Sequence, residues 1–79
     1  EENKLISHFY PNPTSDIINI QTNSNNGTIE IFDLTGKQIS SKNYTSNVFH
    51  LNISNFPAGT YYAVLTSEEV RQTTKIVKL

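Results

Sequence analysis

Thr28-Ile29-Glu30-Ile31-Phe32-Asp33-Leu34-Thr35-Gly36-Lys37-Gln38-Ile39-Ser40-Ser41-Lys42-Asn43-Tyr44 is the stretch on which the reading of this chain turns. Between Thr28 and Asp33 the residues alternate, which places Ile29 and Ile31 together on one face of a strand. Asp33-Leu34-Thr35-Gly36 then reads as a turn, with Gly36 placed to take positive φ as in a type I turn followed by a bulge. Residues 37 to 44 return as the partner strand, with Ile39 expected inward. A hairpin of this kind is a unit of antiparallel sheet.

The same grammar extends outward. Residues 5 to 10 and 17 to 21 are short apolar runs, separated by Pro11-Asn12-Pro13-Thr14-Ser15-Asp16. Two prolines fix φ and withhold two backbone donors, so this segment is read as a rigid corner between two strands. Asn12, Ser15 and Asp16 are expected to fold their side chains back onto local N–H groups. Asn23-Ser24-Asn25-Asn26-Gly27 is a loop, and Asn26-Gly27 carries the signal of a two-residue hairpin. Downstream, Phe49, Leu51 and Ile53 share one face of a further strand. Phe56 is expected to plug the core from the loop before Gly59. Residues 60 to 66 are apolar on both faces, Tyr61, Ala63 and Leu65 against Tyr62 and Val64, which predicts a central strand. A turn at Ser67-Glu68-Glu69 precedes a last strand with Ile76 inward. Seven short strands at roughly 8–12-residue intervals predict an all-β protein, a small β-sandwich.

Composition agrees and excludes much. The 79 residues allow one domain, expected over 1–79 with its core in 8–79. Charged residues are only 16%, while Asn, Ser and Thr supply about a third of the chain. These polar residues favour turns, and Thr strands, over helices. There is no Cys, which rules out a disulfide scaffold, a thiolate metal site and a thiol nucleophile. Six basic against seven acidic residues argue against a nucleic-acid partner. Nothing approaches the ~18 consecutive apolar residues of a membrane span, so no membrane insertion is expected.

Three motifs in order carry a resemblance. They are Tyr10-Pro11-Asn12-Pro13 followed by Asp16-Ile17-Ile18-Asn19-Ile20, then Ile29 to Lys37 as quoted above, then Phe56-Pro57-Ala58-Gly59-Thr60-Tyr61. Together they closely resemble the C-terminal sorting domain (type A) of proteins exported by the type IX secretion system of Bacteroidetes, over roughly residues 8–79. The resemblance implies an Ig-like β-sandwich of about seven strands at the end of secreted enzymes or adhesins. It implies passage through the periplasm and outer membrane to the medium or cell surface. The expected partners are the translocon, a sortase-like cysteine peptidase and the upstream cargo of the same polypeptide, with cleavage near or before Glu1. The family's last strand often carries lysines near its end, matched here by Lys75 and Lys78. Leu79 follows Lys78, a departure from a terminal Lys.

The candidate recognition residues are therefore Pro11, Asn12, Pro13, Asp16, Asp33, Gly36, Lys37, Gly59, Tyr61, Lys75 and Lys78. Each also has a plainer reading. The prolines make a corner, and Asp33 and Gly36 make a turn. Tyr61 fits the tyrosine corner of Ig-like sandwiches, whose hydroxyl bonds back to the backbone. Lys75 and Lys78 fit solvated charges on an edge strand, where lysine also discourages aggregation.

An enzyme is not expected, nor a cofactor or metal. His8 and His50 fall on separate strands without a carboxylate pattern to orient them, and a triad needs its three groups in contact. Glu1-Glu2, Glu68-Glu69, Asp16 and Asp33 lie at a terminus or in turns, not opposed across a cleft. The alternative function is a small carbohydrate-binding or adhesive Ig-like module, with Tyr10, Phe32, Tyr44 and Tyr62 read as facing outward. A spacer within a larger surface protein is a third reading. Exposed strand edges also make a dimer of the isolated chain conceivable.

Overall fold

The computed structural model describes residues 5–79, and the expected cleavage region lies outside them. Seven strands are present among the described residues: β1 Ser7–Tyr10, β2 Ile17–Thr22, β3 Gly27–Phe32, β4 Gln38–Tyr44, β5 Val48–Asn52, β6 Gly59–Ser67 and β7 Val70–Lys78. They form two antiparallel sheets, in the orders β1-β2-β5 and β4-β3-β6-β7, which pack as a sandwich. In the constant-type immunoglobulin arrangement the fourth strand sits beside the fifth. Here β4 sits beside β3 instead.

Alternation explains the core. Ile18 and Ile20 from the smaller sheet meet Ile29, Ile31, Ala63, Leu65 and Ile76 from the larger, all of them fully or almost fully buried. Tyr61, Leu51, Ile53 and Leu5 complete the cluster, and Phe49, Phe56 and Val70 pack against it. Burying one such aliphatic side chain stabilises by about 1.5–3 kcal/mol. The strand expected to be central, β6, lies between β3 and β7.

Three local expectations are corrected. Asn26-Gly27 makes no hairpin, because β2 and β3 belong to different sheets and the loop crosses between them. Gly27 is instead required by close approach: a Cβ there would meet the Thr66 carbonyl oxygen and lie 2.7 Å from the Tyr44 hydroxyl. Ile39 is exposed rather than inward. The register slips between Ile31, which faces Ser40, and Phe32, which faces Gln38, so Ile39 is the extra residue of a bulge. Tyr44 points inward, only 3% exposed, and stacks on Phe49 with centroids 4.7 Å apart.

The predicted turn at Ser67-Glu68-Glu69 is tighter than its composition suggests. Ser67 pairs with Val70, leaving Glu68 and Glu69 as the two turn residues, with φ of 51° and 72°. Two-residue hairpins require such positive φ, but usually recruit Asn and Gly to supply it.

Candidate functional site

Register places the three motifs at one end of the sandwich. Phe32 at the end of β3 faces Tyr62 near the start of β6, and Gly59 faces Lys78 at the end of β7. In the other sheet Tyr10 faces Asn19 and Ile17 faces Asn52. The corner after Tyr10, the loop after Phe32, the loop after Asn52 and the end of β7 therefore share one pole, called here the motif end. The opposite pole holds the start of β1, the 23–26 loop, the β4–β5 connection and the Glu68-Glu69 turn. The nine residues of β6 put about 30 Å between the two, at ~3.3 Å per residue. The molecule's longest extent is 39 Å.

The loop after β3 is organised by one carboxylate. Asp33 Oδ1 accepts from the Thr35 amide at 2.9 Å, the Thr35 hydroxyl at 2.6 Å and the Lys37 amide at 3.0 Å. The Gly36 amide donates to the Asp33 carbonyl at 3.0 Å, and the Asp33 amide donates to the Lys37 carbonyl at 2.9 Å. Gly36 has φ of 90°, a conformation that side-chain-bearing residues avoid. Donation from the Thr35 hydroxyl, then from the backbone at Lys37, holds the Asp33 carboxyl below its usual pKa of 3.8. Leu34 and Lys37 are exposed at the tip.

The proline corner does something the sequence did not suggest. Asn12 does not fold back locally. Its Nδ2 donates to the Lys75 carbonyl at 2.9 Å, and its Oδ1 accepts from the Val77 amide at 3.0 Å. Thr14 continues the pairing, its amide donating to the Val77 carbonyl and its carbonyl accepting from the Leu79 amide. Thr14 and Lys78 thus form a parallel bridge. The local fold-back belongs to Thr14, whose hydroxyl donates to the Ile17 carbonyl and accepts from the Asp16 amide. Thr14 is buried at 4% exposure, and nothing in its sequence context signals that role. Pro11 and Pro13, both preceded by cis bonds, are exposed, as is Asp16. The Asp16 carbonyl accepts from the Ile53 amide at 2.8 Å.

The third motif closes the same end. The Tyr61 hydroxyl donates to the Pro57 carbonyl at 2.5 Å, four residues upstream, which is the tyrosine-corner geometry. Its ring meets Phe56 at 5.3 Å. Gly59, with φ of 150°, is exposed at the start of β6.

Lys75 and Lys78 part company. Lys75 is exposed on the outer face beside Tyr62. Lys78, three residues on, points to the inner face with Ile76 and is only 9% exposed, its Nζ donating to Leu79 O at 3.1 Å. The reading of Lys78 as a solvated charge is therefore wrong. A three-residue spacing on a strand sends two side chains to opposite faces, and the aliphatic stem of lysine tolerates burial.

The four aromatics expected outward do not form a row. Tyr44 is buried, Tyr10 lies in the other sheet, and Phe32 and Tyr62 remain as neighbours on the outer face, with Phe32 half-buried. His8 and His50 lie on the two edge strands of the smaller sheet. Among the described residues no three His, Cys, Asp or Glu gather as metal ligands would.

No curated protein matches the chain. The family model of the secretion system C-terminal sorting domain matches residues 8–79, from β1 through Leu79 and so through all three motifs. This chain belongs to that family, the C-terminal sorting domains of type IX secretion, which serve as secretion tags.

Proposed function

We propose that the chain acts as a folded tag, docked at its motif end by the type IX outer-membrane translocation machinery. In this reading the upstream cargo leaves from the opposite pole, and a sortase-like peptidase removes the tag by cleaving near or before Glu1. The cargo then reaches the medium or the cell surface. The single observation that carries this is the gathering of all three motifs at the pole opposite the start of β1. A separation of about 30 Å sets the attachment point of the cargo well away from the motifs. Exposed Leu34, Lys37, Lys75 and Tyr10 supply the side chains a receptor would meet there.

The motif loops are also suited to being read. Side-chain-to-backbone bonds hold them in one conformation before any partner arrives, which lowers the ordering cost of association. The chain carries no catalysis in this account; its role is to be recognised.

A reporter enzyme fused ahead of Glu1, expressed in a bacterium with a working type IX system, tests the reading. The reporter is expected outside the cells, shortened by the length of the tag. Retention of the intact fusion in the periplasm at the level of untagged reporter would overturn the proposal.

A further inference from the structure

Sheet edges present unpaired N–H and C=O groups, and partners commonly bind by adding a strand to them. The last strand, β7, is an edge strand of the larger sheet. From Lys75 to Leu79, the residue just past its end, however, that edge is taken. The Lys75 carbonyl and the Val77 amide bind the two ends of the Asn12 carboxamide. The Val77 carbonyl and the Leu79 amide bind the backbone of Thr14. Four successive outward-facing groups of one strand are thus satisfied by residues more than 60 positions away. A carboxamide is suited to this, because it offers one donor and one acceptor, as a peptide unit does.

We propose that Asn12 and Thr14 form a built-in latch, a surrogate strand that closes the outer edge of β7 from Lys75 to Leu79. Any partner then reads this stretch through its side chains and not by strand addition, unless it first displaces residues 12 to 14. Lys75 is the exposed cation left to such a partner on this part of β7. Asn12 is in this account a positioning residue, which acts through β7. Its place beside Pro11 and Pro13 is consistent with this: neither proline has an N–H to donate, so the corner has two fewer donors to satisfy. The bearing of the latch on export rests on the reading of the chain as an exported tag; the latch itself does not.

Amide hydrogen exchange on the purified chain tests it directly. Asn12→Ala should speed exchange at Val77 by about fivefold, the equivalent of one lost hydrogen bond of ~1 kcal/mol. The Ala63 and Leu65 amides in β6 should keep their protection. Asn12→Asp retains the acceptor for Val77 but loses the donor to Lys75, so Val77 should remain more protected than in Asn12→Ala. Unchanged exchange at Val77 in Asn12→Ala overturns the latch. So does a uniform loss of protection across β6 and β7 in both variants, which would make Asn12 a general stabiliser. None of these outcomes depends on export, so the latch and the export reading fail separately.

Discussion

At the motif end, side chains tie the loops: Asn12 reaches across to β7, while Tyr61 to Pro57 and Asp33 around its own turn act locally. The opposite end is tied too, the Ile6 amide donating to Asn23 Oδ1 and the Thr22 hydroxyl to the Ile6 carbonyl, both at 3.0 Å, but its turn chemistry is less favourable. The Ser24 and Ser67 hydroxyls lie 2.6 Å apart and share a hydrogen bond, and each is also 2.8 Å from the Asn26 carbonyl, which the other proton can reach. They border an open cavity of about 380 Å³, lined mainly by the 23–26 loop, Ser67 and Glu68. Close by, Glu68 and Glu69 hold positive φ without the residues that favour it, and the buried Tyr44 hydroxyl has no partner among the described residues. The motif end is held in one conformation by bonds that suit its sequence, which is what the proposed tag reading asks of it. The other carries the start of β1 and the less optimised turn chemistry.

The difference can be broken most forcefully at Gly27. Its packing against Thr66 and Tyr44 leaves no room for a methyl group. Gly27→Ala should destabilise the fold by about 3 kcal/mol, the upper range for overpacking, because a backbone carbonyl cannot swing aside. Chemical denaturation measures it. A cost below that of an ordinary surface substitution would mean that β3 and β6 can separate freely at this pole.

A smaller effect is expected at Tyr61. Tyr61→Phe keeps the ring and its contact with Phe56 but leaves the Pro57 carbonyl without its donor. The expected loss is about 1–1.5 kcal/mol, by the same denaturation measurement. No loss would show that the corner is held by Phe56 and the loop backbone alone.

The smallest effect lies at Asp33. A carboxyl whose folded pKa lies below 3.8 stabilises the fold above that pH, and the contribution disappears as pH falls through the lowered value. Carboxyl titration by NMR should place Asp33 below 3.8, and Thr35→Ala should move it back upward, since the Thr35 hydroxyl is the largest cause. A Thr35→Ala midpoint identical to that of the parent would remove the hydroxyl from the account.

What was legible in the sequence divides along local and distant lines. The Asp33 turn could be read because every group it uses lies within four residues. Tyr61 could be read because the Gly59-Thr60-Tyr61 setting and the return to Pro57 are also local. Alternation gave the core and the central place of β6. Ile39 was misplaced because a bulge changes the period by one, and no residue type announces it. Gly27 and Tyr44 were misread for one reason. An Asn-Gly pair looks like a turn until the two sheets are assembled and the glycine is found pressed against its neighbours. The work of Asn12 and Thr14 was hidden more deeply, since it depends on which strand the corner meets after 60 intervening residues have folded.

The central claim is that recognition belongs to the motif end. Because the chain has no cysteine of its own, one can be introduced at Leu34, exposed at the motif end, or at Glu68, in the turn at the other. Each is then capped with a polyethylene glycol chain, and binding to isolated type IX translocation machinery is measured. The account predicts that the cap at Leu34 abolishes binding while the cap at Glu68 leaves it near that of the unmodified chain. Equal binding by both, or loss only with the cap at Glu68, would contradict it.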